Sequence, residues 1–570
     1  MTEGLRGGAF LTGSPAPGTQ ATPEQLGPEA RELARQVATF LHREVKPLTA
    51  RLEEREPGLM DRVVRAAGEA GLMGVEVPAA YGGLGADHRT VTLIAEAFAQ
   101  YASFVATVGL HSGIGVWPVR FFGSCAQRER WLPRFATGET MSAYCLTEPG
   151  SGSDALSLTT KATAAGSGYR LTGGKQFISN GAISGVFTVF ARLPEGVTAF
   201  LVERGPGVTP GAEEKKLGLK GASTTSLALD DAPGELLGEV GRGHRVAFNC
   251  LNLGRLRLGS GCLGFAKQAL ETATRYAAGR KQFGKTLDSF GLIQHKLGEM
   301  AARIFALESL VYRTAGSYDE ALAGIDLEAA GAADAVSKAL AELSVEASAA
   351  KVLGSEVQAF AVDECVQIHG GYGFIEEYAA ARLYRDARGS RLYEGTSEIN
   401  RMLLAGTVLK RIATGQVAAP VSDAVPASAH DLLGDAHRVL AANRRDVWAL
   451  ARAVLARFGA GVEQEQEVLA LLADDLMDLL ALDAAVARAE TLAASSDERS
   501  WSAPALVTLQ AVRAREALVT RSRMLSPRVG NALADPAVLA ADPIELTRTA
   551  ARLVIDAGGY PLGWIGSAHA

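Results

Sequence analysis

Cysteine is scarce: five residues in 570, at 125, 145, 250, 262 and 365. They stand far apart with no CxxC spacing, which removes the pattern of a zinc or redox site and leaves a reducing, cytoplasmic compartment as the expectation. A basic excess is missing as well. Lys and Arg total 57 against 63 Asp and Glu, for a net charge of -6, so the chain has no electrostatic footprint for nucleic acid. The first residues lack the basic start and apolar core of a signal peptide, no spanning helix is expected, and no fixed-period repeat is visible. What is present is the composition of a core-forming protein, 48% apolar and 21% charged, long enough for several domains.

Pattern divides the chain. Residues 1–27, rich in Gly, Pro and Thr, read as a flexible leader. From 28 to 140 apolar residues recur at helical spacing, as in Leu33, Val37, Phe40 and Leu41, then Leu93, Ile94, Phe98 and Tyr101. Across 141–238 the chain changes to short runs rich in Thr, Val, Phe and Tyr between glycines (169–172, 186–191, 197–202 and 225–229), the signature of an antiparallel β domain. The helical period returns over 239–412, interrupted by Gly370, Gly371 and Gly373. A linker is expected over 413–429, with Pro420 and Pro426, and an Ala/Leu-rich helical extension over 430–570.

Five segments could carry chemistry. GRKQFGKT (279–286) satisfies the phosphate-loop pattern GxxxxGK[ST], but that motif needs a buried strand before it, and residues 269–278 read as helix. YCLTEPGSGSD (144–154) places three hydroxyls and several backbone N–H groups in one short turn. It is either an ordinary Pro/Gly turn or an anion-binding nest. In KQFISNG (175–181) an aromatic and a hydroxyl two residues apart would share one face of a strand, able to stack on and bond to a flat ring, or to serve as core and turn. QIHGGYGF (367–374) follows a helix, which excludes a dinucleotide fingerprint. In LYEGTSEINR (392–401) a carboxylate sits among apolar residues, where a raised proton affinity would suit a base, though an exposed helix-entry Glu reads the same in isolation.

Taken together and in order, YCLTEPGSGSD, KQFISNG, RKQFG with FGLIQ, QIHGGYG, YRDAR and YEGTSEINR resemble the acyl-CoA dehydrogenases, among them the very-long-chain type with an added C-terminal domain. The resemblance covers residues 28–409. It implies an α+β multidomain fold: an N-terminal helical domain, a middle antiparallel β-barrel domain, a C-terminal four-helix-bundle-like domain, and the extra helical extension.

It also implies FAD as cofactor and no metal. Tyr144, Leu146, Thr147, Gly152 and Ser153 would contact the flavin or its pyrophosphate, with Phe177 and Ser179 flanking the ring. Arg280, Phe283 and Gln294, with Gln367, Gly370 and Gly371, match residues that reach the FAD of a neighbouring subunit, so a homodimer is implied; Thr396 and Glu398 match further FAD contacts. Ser153, Asn252, Arg255, Tyr393 and Gly395 match substrate contacts, Asn252 and Arg255 toward the CoA portion. Glu394 would be the base that takes the α-hydrogen while the β-hydrogen leaves as hydride. Gly254 stands where some members carry the base, and glycine cannot take a proton.

The implied activity is dehydrogenation of fatty acyl-CoA, long-chain by expectation, to trans-2-enoyl-CoA in β-oxidation, with electron-transfer flavoprotein as acceptor. An acyl-CoA oxidase and a catalytically silent acyl-CoA-binding or assembly protein are the alternatives. Two departures stand out. Residues 319–351 form an insertion of unassigned role. Residues 431–459 carry Arg438, Arg444, Arg445, Arg452 and Arg457 beside apolar residues, favouring a solvated helix packed on the core over peripheral membrane contact. Gly109, Gly113 and Gly115 keep space for a long acyl chain or mark a helix break; the sequence weighs these two equally.

Overall fold

Helices begin where a short polar side chain can take a free backbone N–H. The structure, a computed structural model, describes residues 7–16, 18–99, 101–421, 432–495, 497–530 and 542–565. Its first helices are α1 (Pro28–Phe40), α2 (Thr49–Glu53), α3 (Leu59–Glu69), α4 (His88–Phe98), α5 (Ala102–Leu110), α6 (Trp117–Phe122) and α7 (Cys125–Ala136). Asp87 caps α4 by accepting from Thr90 N, and Ser124 and Gln127 cap α7 reciprocally.

Seven strands follow: β1 (Ser142–Cys145), β2 (Lys161–Ala165), β3 (Gly168–Ser179), β4 (Val186–Leu193), β5 (Gly196–Glu203), β6 (Val208–Glu213) and β7 (Thr224–Leu237). The rest is helical apart from the hairpin β8 (Lys281–Gln282) and β9 (Lys285–Thr286). In order come α8 (Gly243–Gly279), α9 (Gly291–Leu322), α10 (Ala332–Glu342), α11 (Ser344–His369), α12 (Ala379–Ala387), α13 (Ser397–Ala413), α14 (Leu432–Phe458), α15 (Gln466–Ala493), α16 (Ala503–Val529) and α17 (Pro543–Ala557). Contacts group the chain into two units, 28–257 with 318–341, and 1–27 with 258–317 and 342–570.

In the first unit β3 pairs antiparallel with β2 and β7, β5 with β4 and β7, and β6 with β7. β1 runs parallel to β4, and β2 meets β4 at one parallel pair, Lys161 with Arg192, which closes the circuit β4, β2, β3, β7, β5. The expected antiparallel domain is therefore mixed. A parallel partner needs a long return path, and the chain from β1 to β4 provides one. Phe187, Val189, Phe200, Val202, Leu171 and Leu227 fill the interior, each large side chain contributing about 2 kcal/mol of burial.

The 319–351 insertion has a role here for its first part. Asp319 accepts from the backbone N–H of His88 at 2.7 Å, Glu328 takes the Arg128 guanidinium at 2.9 Å, Asp334 pairs with Arg245, and Val336 and Leu340 are buried. Residues 318–341 thus brace α4, α7 and α8 within this unit.

The second unit corrects the reading of 1–27 as a flexible leader. Residues 1–6 and 17 lie outside the described ones, but Phe10 and Leu11 are buried. Gly8 N donates to Glu346 at 2.7 Å, Arg444 donates to the Phe10 carbonyl at 2.8 Å, Ser14 to Asp483 at 2.5 Å, and Gln20 to the Ala484 carbonyl at 2.8 Å. A segment poor in long side chains settles by giving its backbone to charged groups buried on α11, α14 and α15. Here α11 packs on α13 and α13 on α15, α14 to α16 pack mutually, and α17 covers α16. Of the expected linker, 413–421 is described and packs Val417 inward; 422–429 lie outside the described residues.

Ala102–Phe122 is long and apolar enough by composition to cross a membrane, against the sequence expectation, but 78% of its apolar window is buried and it breaks at Gly113 (φ -106°, ψ -107°). A Cβ on Gly113 would lie 3.2 Å from Arg257 and 3.3 Å from Trp117; on Gly115 it would lie 2.4 Å from Ser142 Oγ. No open space remains at either, so these two glycines serve close packing at a break. Gly115→Leu is expected to lower stability by about 2–3 kcal/mol through overpacking, read as a lower urea midpoint; an unchanged midpoint would refute this.

Candidate active site

Glu148 organises the β-domain part of the candidate site. Its carboxylate is buried and accepts Lys175 Nζ at 2.7 Å, Thr160 N at 3.0 Å, and the N–H and hydroxyl of Thr159 at 2.6 and 2.8 Å. Burial works against both charges and lowers Lys175; on Glu148 it is outweighed by the hydrogen bonds, which hold its pKa at about 2. Lys175 also donates to the Leu146 carbonyl at 3.3 Å. Reciprocal backbone bonds between Glu148 and Ser151 then close the turn, leaving Gly150, Gly152 and Ser153 exposed, and a Cβ on either glycine would meet nothing. Thr147 is half-buried beside it, and Tyr144 OH donates to the Ala247 carbonyl at 3.2 Å.

β3 slips register against β7 between Lys175 and Ile178, and at that irregularity Phe177 takes φ 56° and stands 63% exposed. The simple alternation that would set Phe177 and Ser179 on one face does not cross such a bulge. What the structure shows is an aromatic ring turned to solvent near the end of β3, between the buried Ile178 and the half-buried Gln176 and close to a half-buried Ser179. Asn252 and Arg255 are both buried and bonded to each other at 2.8 Å.

The second unit holds the candidate base. Glu394 is half-buried and sits at φ 59°, followed by Gly395 at φ 79°. Thr396 caps α13 by accepting from Ile399 N, and Asn400, fully buried, donates its side-chain amide to the carbonyls of Glu394, Gly395 and Thr396 at 3.3, 2.9 and 3.0 Å. Tyr393 and Glu398 stay exposed.

In the same unit the 279–286 segment is a β-hairpin after a helix, with Phe283 and Gly284 at positive φ, so it is no phosphate loop. Arg280 stands at the edge of a groove of about 470 Å³ with Tyr276, His369, Gly370, Gly371 and Tyr372. Tyr276 and His369 stack at 4.1 Å, and a Cβ on Gly370 or Gly371 would meet nothing. A cation, a stacked aromatic pair and bare backbone suit the nucleotide end of a dinucleotide cofactor. Gln367 and Phe283 are exposed nearby in sequence, and Gln294 donates to the Asp288 carbonyl at 3.0 Å.

Sequence reasoning missed Lys175 and Glu148 as a pair, Asn400 as the clamp, and His111. That ring accepts from Ser142 N at 3.0 Å and donates to the Phe135 carbonyl at 3.0 Å, and burial pushes its pKa down to about 4. The available signal was a lysine inside a strand, which reads as solvated until its partner is placed.

Comparison with known proteins places the candidate site residues from Tyr144 to Asn400 in matched segments. Three family models match in order: "Acyl-CoA dehydrogenase, N-terminal domain" over 27–139, the middle domain over 143–232 and the C-terminal domain over 241–409. A "Probable acyl-CoA dehydrogenase" of Bacillus subtilis is 39% identical over 515 residues, 87% of this chain and 86% of its own. The mitochondrial very long-chain specific acyl-CoA dehydrogenase of Homo sapiens is 36% identical over 411 residues, 68% of this chain and 60% of its own. The crystal structure of an acyl-CoA dehydrogenase complexed with FAD from Bacillus anthracis superposes with a TM-score of 0.89 at 36% identity, covering 98% of this chain and all of that one.

Lys175→Met is expected to cost about 3–5 kcal/mol, because it strands a buried carboxylate. The sign follows from Glu148: a carboxyl held at about 2 against the usual 4.5 stabilises the fold above the unfolded value and loses that contribution as pH falls from about 4.5 to about 2. Urea midpoints from pH 7 to pH 3 should therefore fall more in the parent than in Lys175→Met; parallel curves would refute the pairing.

Proposed function

Since the chain belongs to the acyl-CoA dehydrogenase family, we propose that it dehydrogenates acyl-CoA thioesters to trans-2-enoyl-CoA with FAD as cofactor and Glu394 as the base. The observation that carries this reading is the Glu394 turn, a half-buried carboxylate fixed in a left-handed conformation at a capped helix entry. Glu394 takes the α-proton of the thioester, and its own backbone N–H donates to the thioester oxygen as negative charge develops there, as the family implies. FAD, when bound, supplies the acceptor for the β-hydride.

The turn with Gly150, Gly152 and Ser153 exposed and the outward Phe177 suit the flavin end of the cofactor, and the Arg280 groove suits the nucleotide end of the FAD held by a neighbouring subunit. Phe283, Leu292 and Phe374, 93%, 81% and 87% exposed, form apolar surface that a second copy of the chain would cover, making a homodimer. Electrons pass onward to electron-transfer flavoprotein, as the family implies.

The substrate reading is a long acyl chain. Gly113 and Gly115 no longer support it; the very long-chain relative does, together with α5. Along that helix Val105, Ala106, Gly109 and Leu110 stay half-buried on one face, and a Cβ on Gly109 would meet only Val105 at 3.6 Å. Gly109→Leu is expected to shift preference toward shorter thioesters with folding intact, each methylene lost from contact weakening binding by about 0.8 kcal/mol. An unchanged chain-length profile would remove α5 from the pocket.

Glu394→Gln tests the reaction itself. The amide keeps the shape but accepts no proton, so the variant should retain FAD and bind thioester while turnover falls by several orders of magnitude. Activity within tenfold of the parent would overturn the base assignment. In the parent, anaerobic acyl-CoA should bleach the flavin, and reoxidation by air within one turnover would replace the dehydrogenase reading by an oxidase.

A further inference from the structure

Lys351 has no part in the chemistry described above, yet it is fully buried on α11 directly under the turn that bears Glu394. Its Nζ donates to the Arg391 carbonyl at 3.2 Å and reaches Ser397 Oγ at 3.5 Å, so one side chain grips the segment on both sides of the base. Asn400, on α13, holds the three carbonyls between those points. The entry to the segment is anchored separately, by Ser390 Oγ on Gln358 at 2.7 Å and on the Ala387 carbonyl at 2.7 Å.

A non-glycine residue at φ 59° persists only where its surroundings over-determine the backbone. Lys351 and Asn400 supply that constraint from two different helices. We propose that Lys351, with Asn400, is a positioning residue that holds Glu394 in its left-handed turn so that the carboxylate meets the α-hydrogen without first reorganising. The inference rests on Glu394 being the base. It predicts a particular split: these bonds fall on residues 391–397, none of which belongs to the 147–153 turn or lines the Arg280 groove, so their loss should fall on turnover and spare cofactor and substrate affinity.

The test uses the FAD-loaded full chain, palmitoyl-CoA and a one-electron dye acceptor. Lys351→Met, close in shape but without a donor, and Asn400→Ala should each lower kcat by tenfold or more, with flavin content and KM within twofold of the parent. In the Glu394→Gln background neither should lower the residual rate further, because the constrained group is already gone. A kcat loss below tenfold in both variants, or a loss matched by falling flavin content or rising KM, would overturn the proposal. Should Lys351→Met yield no folded holoenzyme, Asn400→Ala decides on the same criteria. The two readings fail separately: an active Glu394→Gln sinks the base assignment, whereas an inactive Glu394→Gln beside fully active Lys351→Met and Asn400→Ala sinks only the positioning role.

Discussion

A carboxylate withdrawn from water must be surrounded by donors or lose its charge, and the arrangement around Glu148 is the constraint on which the β domain's exposed turn depends. Its partners come from Lys175 in the middle of β3 and from Thr159 and Thr160 at the approach to β2. Satisfying one buried group therefore fixes three chain segments at once. The turn that contains Glu148 is tied down from inside, which frees its outer residues, Gly150, Gly152 and Ser153, from any structural duty. The register slip that turns Phe177 outward begins at Lys175 itself. Anchor and exposed ring are thus consecutive consequences of the same strand.

Backbone strain follows the same division of labour. Among the described residues, seven that are not glycine have positive φ, and they include Phe177, Phe283 and Glu394, all of them candidate site residues. Such conformations cost about 1–3 kcal/mol each, so each must be held by something rigid. For Phe177 it is the antiparallel β3–β7 ladder on both sides of the bulge, for Phe283 the β8–β9 hairpin, and for Glu394 the hydrogen bonds from Asn400. The strain sits where a side chain is pointed against the local periodicity.

Much of this was legible in the sequence where local pattern is enough. The helical periods of α4 and the β runs at 186–191 and 197–202 lie in the elements they suggest, and the segment at 392–401 contains both the candidate base and, at Asn400, the residue that fixes it. Other features depended on partners distant in the chain. Residues 7–27 look unstructured because their stabilising groups, Glu346, Arg444 and Asp483, are hundreds of residues away. The glycines at 113 and 115 read equally as room for a ligand or as a helix break, and Arg257, Trp117 and Ser142, which fill that room, decide for the break. The domain read as wholly antiparallel because a run of residues carries no sign of its neighbour's direction, so the parallel pairing of β1 with β4 was not legible.

The C-terminal extension is bound to the rest of its unit by charges buried where apolar contact alone would be sufficient for packing. Arg401, on the helix that follows the Glu394 turn, bonds Glu356 on α11 and Asp474 on α15, each at 2.7 Å. Asp483 on α15 accepts Arg444 and Ser14 and pairs with Arg313 of α9. Glu308 of α9 gathers Arg488 of α15, Lys267 of α8 and the Tyr560 hydroxyl. Removing one partner from such a pair costs more than the pair contributes, because the remaining charge stays buried. Helices α8, α9, α11, α13 and α15 are therefore committed to one another in register, and the helix that follows the Glu394 turn takes its seat from α15 of the extension as well as from α11. Added length of this kind is part of the scaffold of its unit and not an appendage to it.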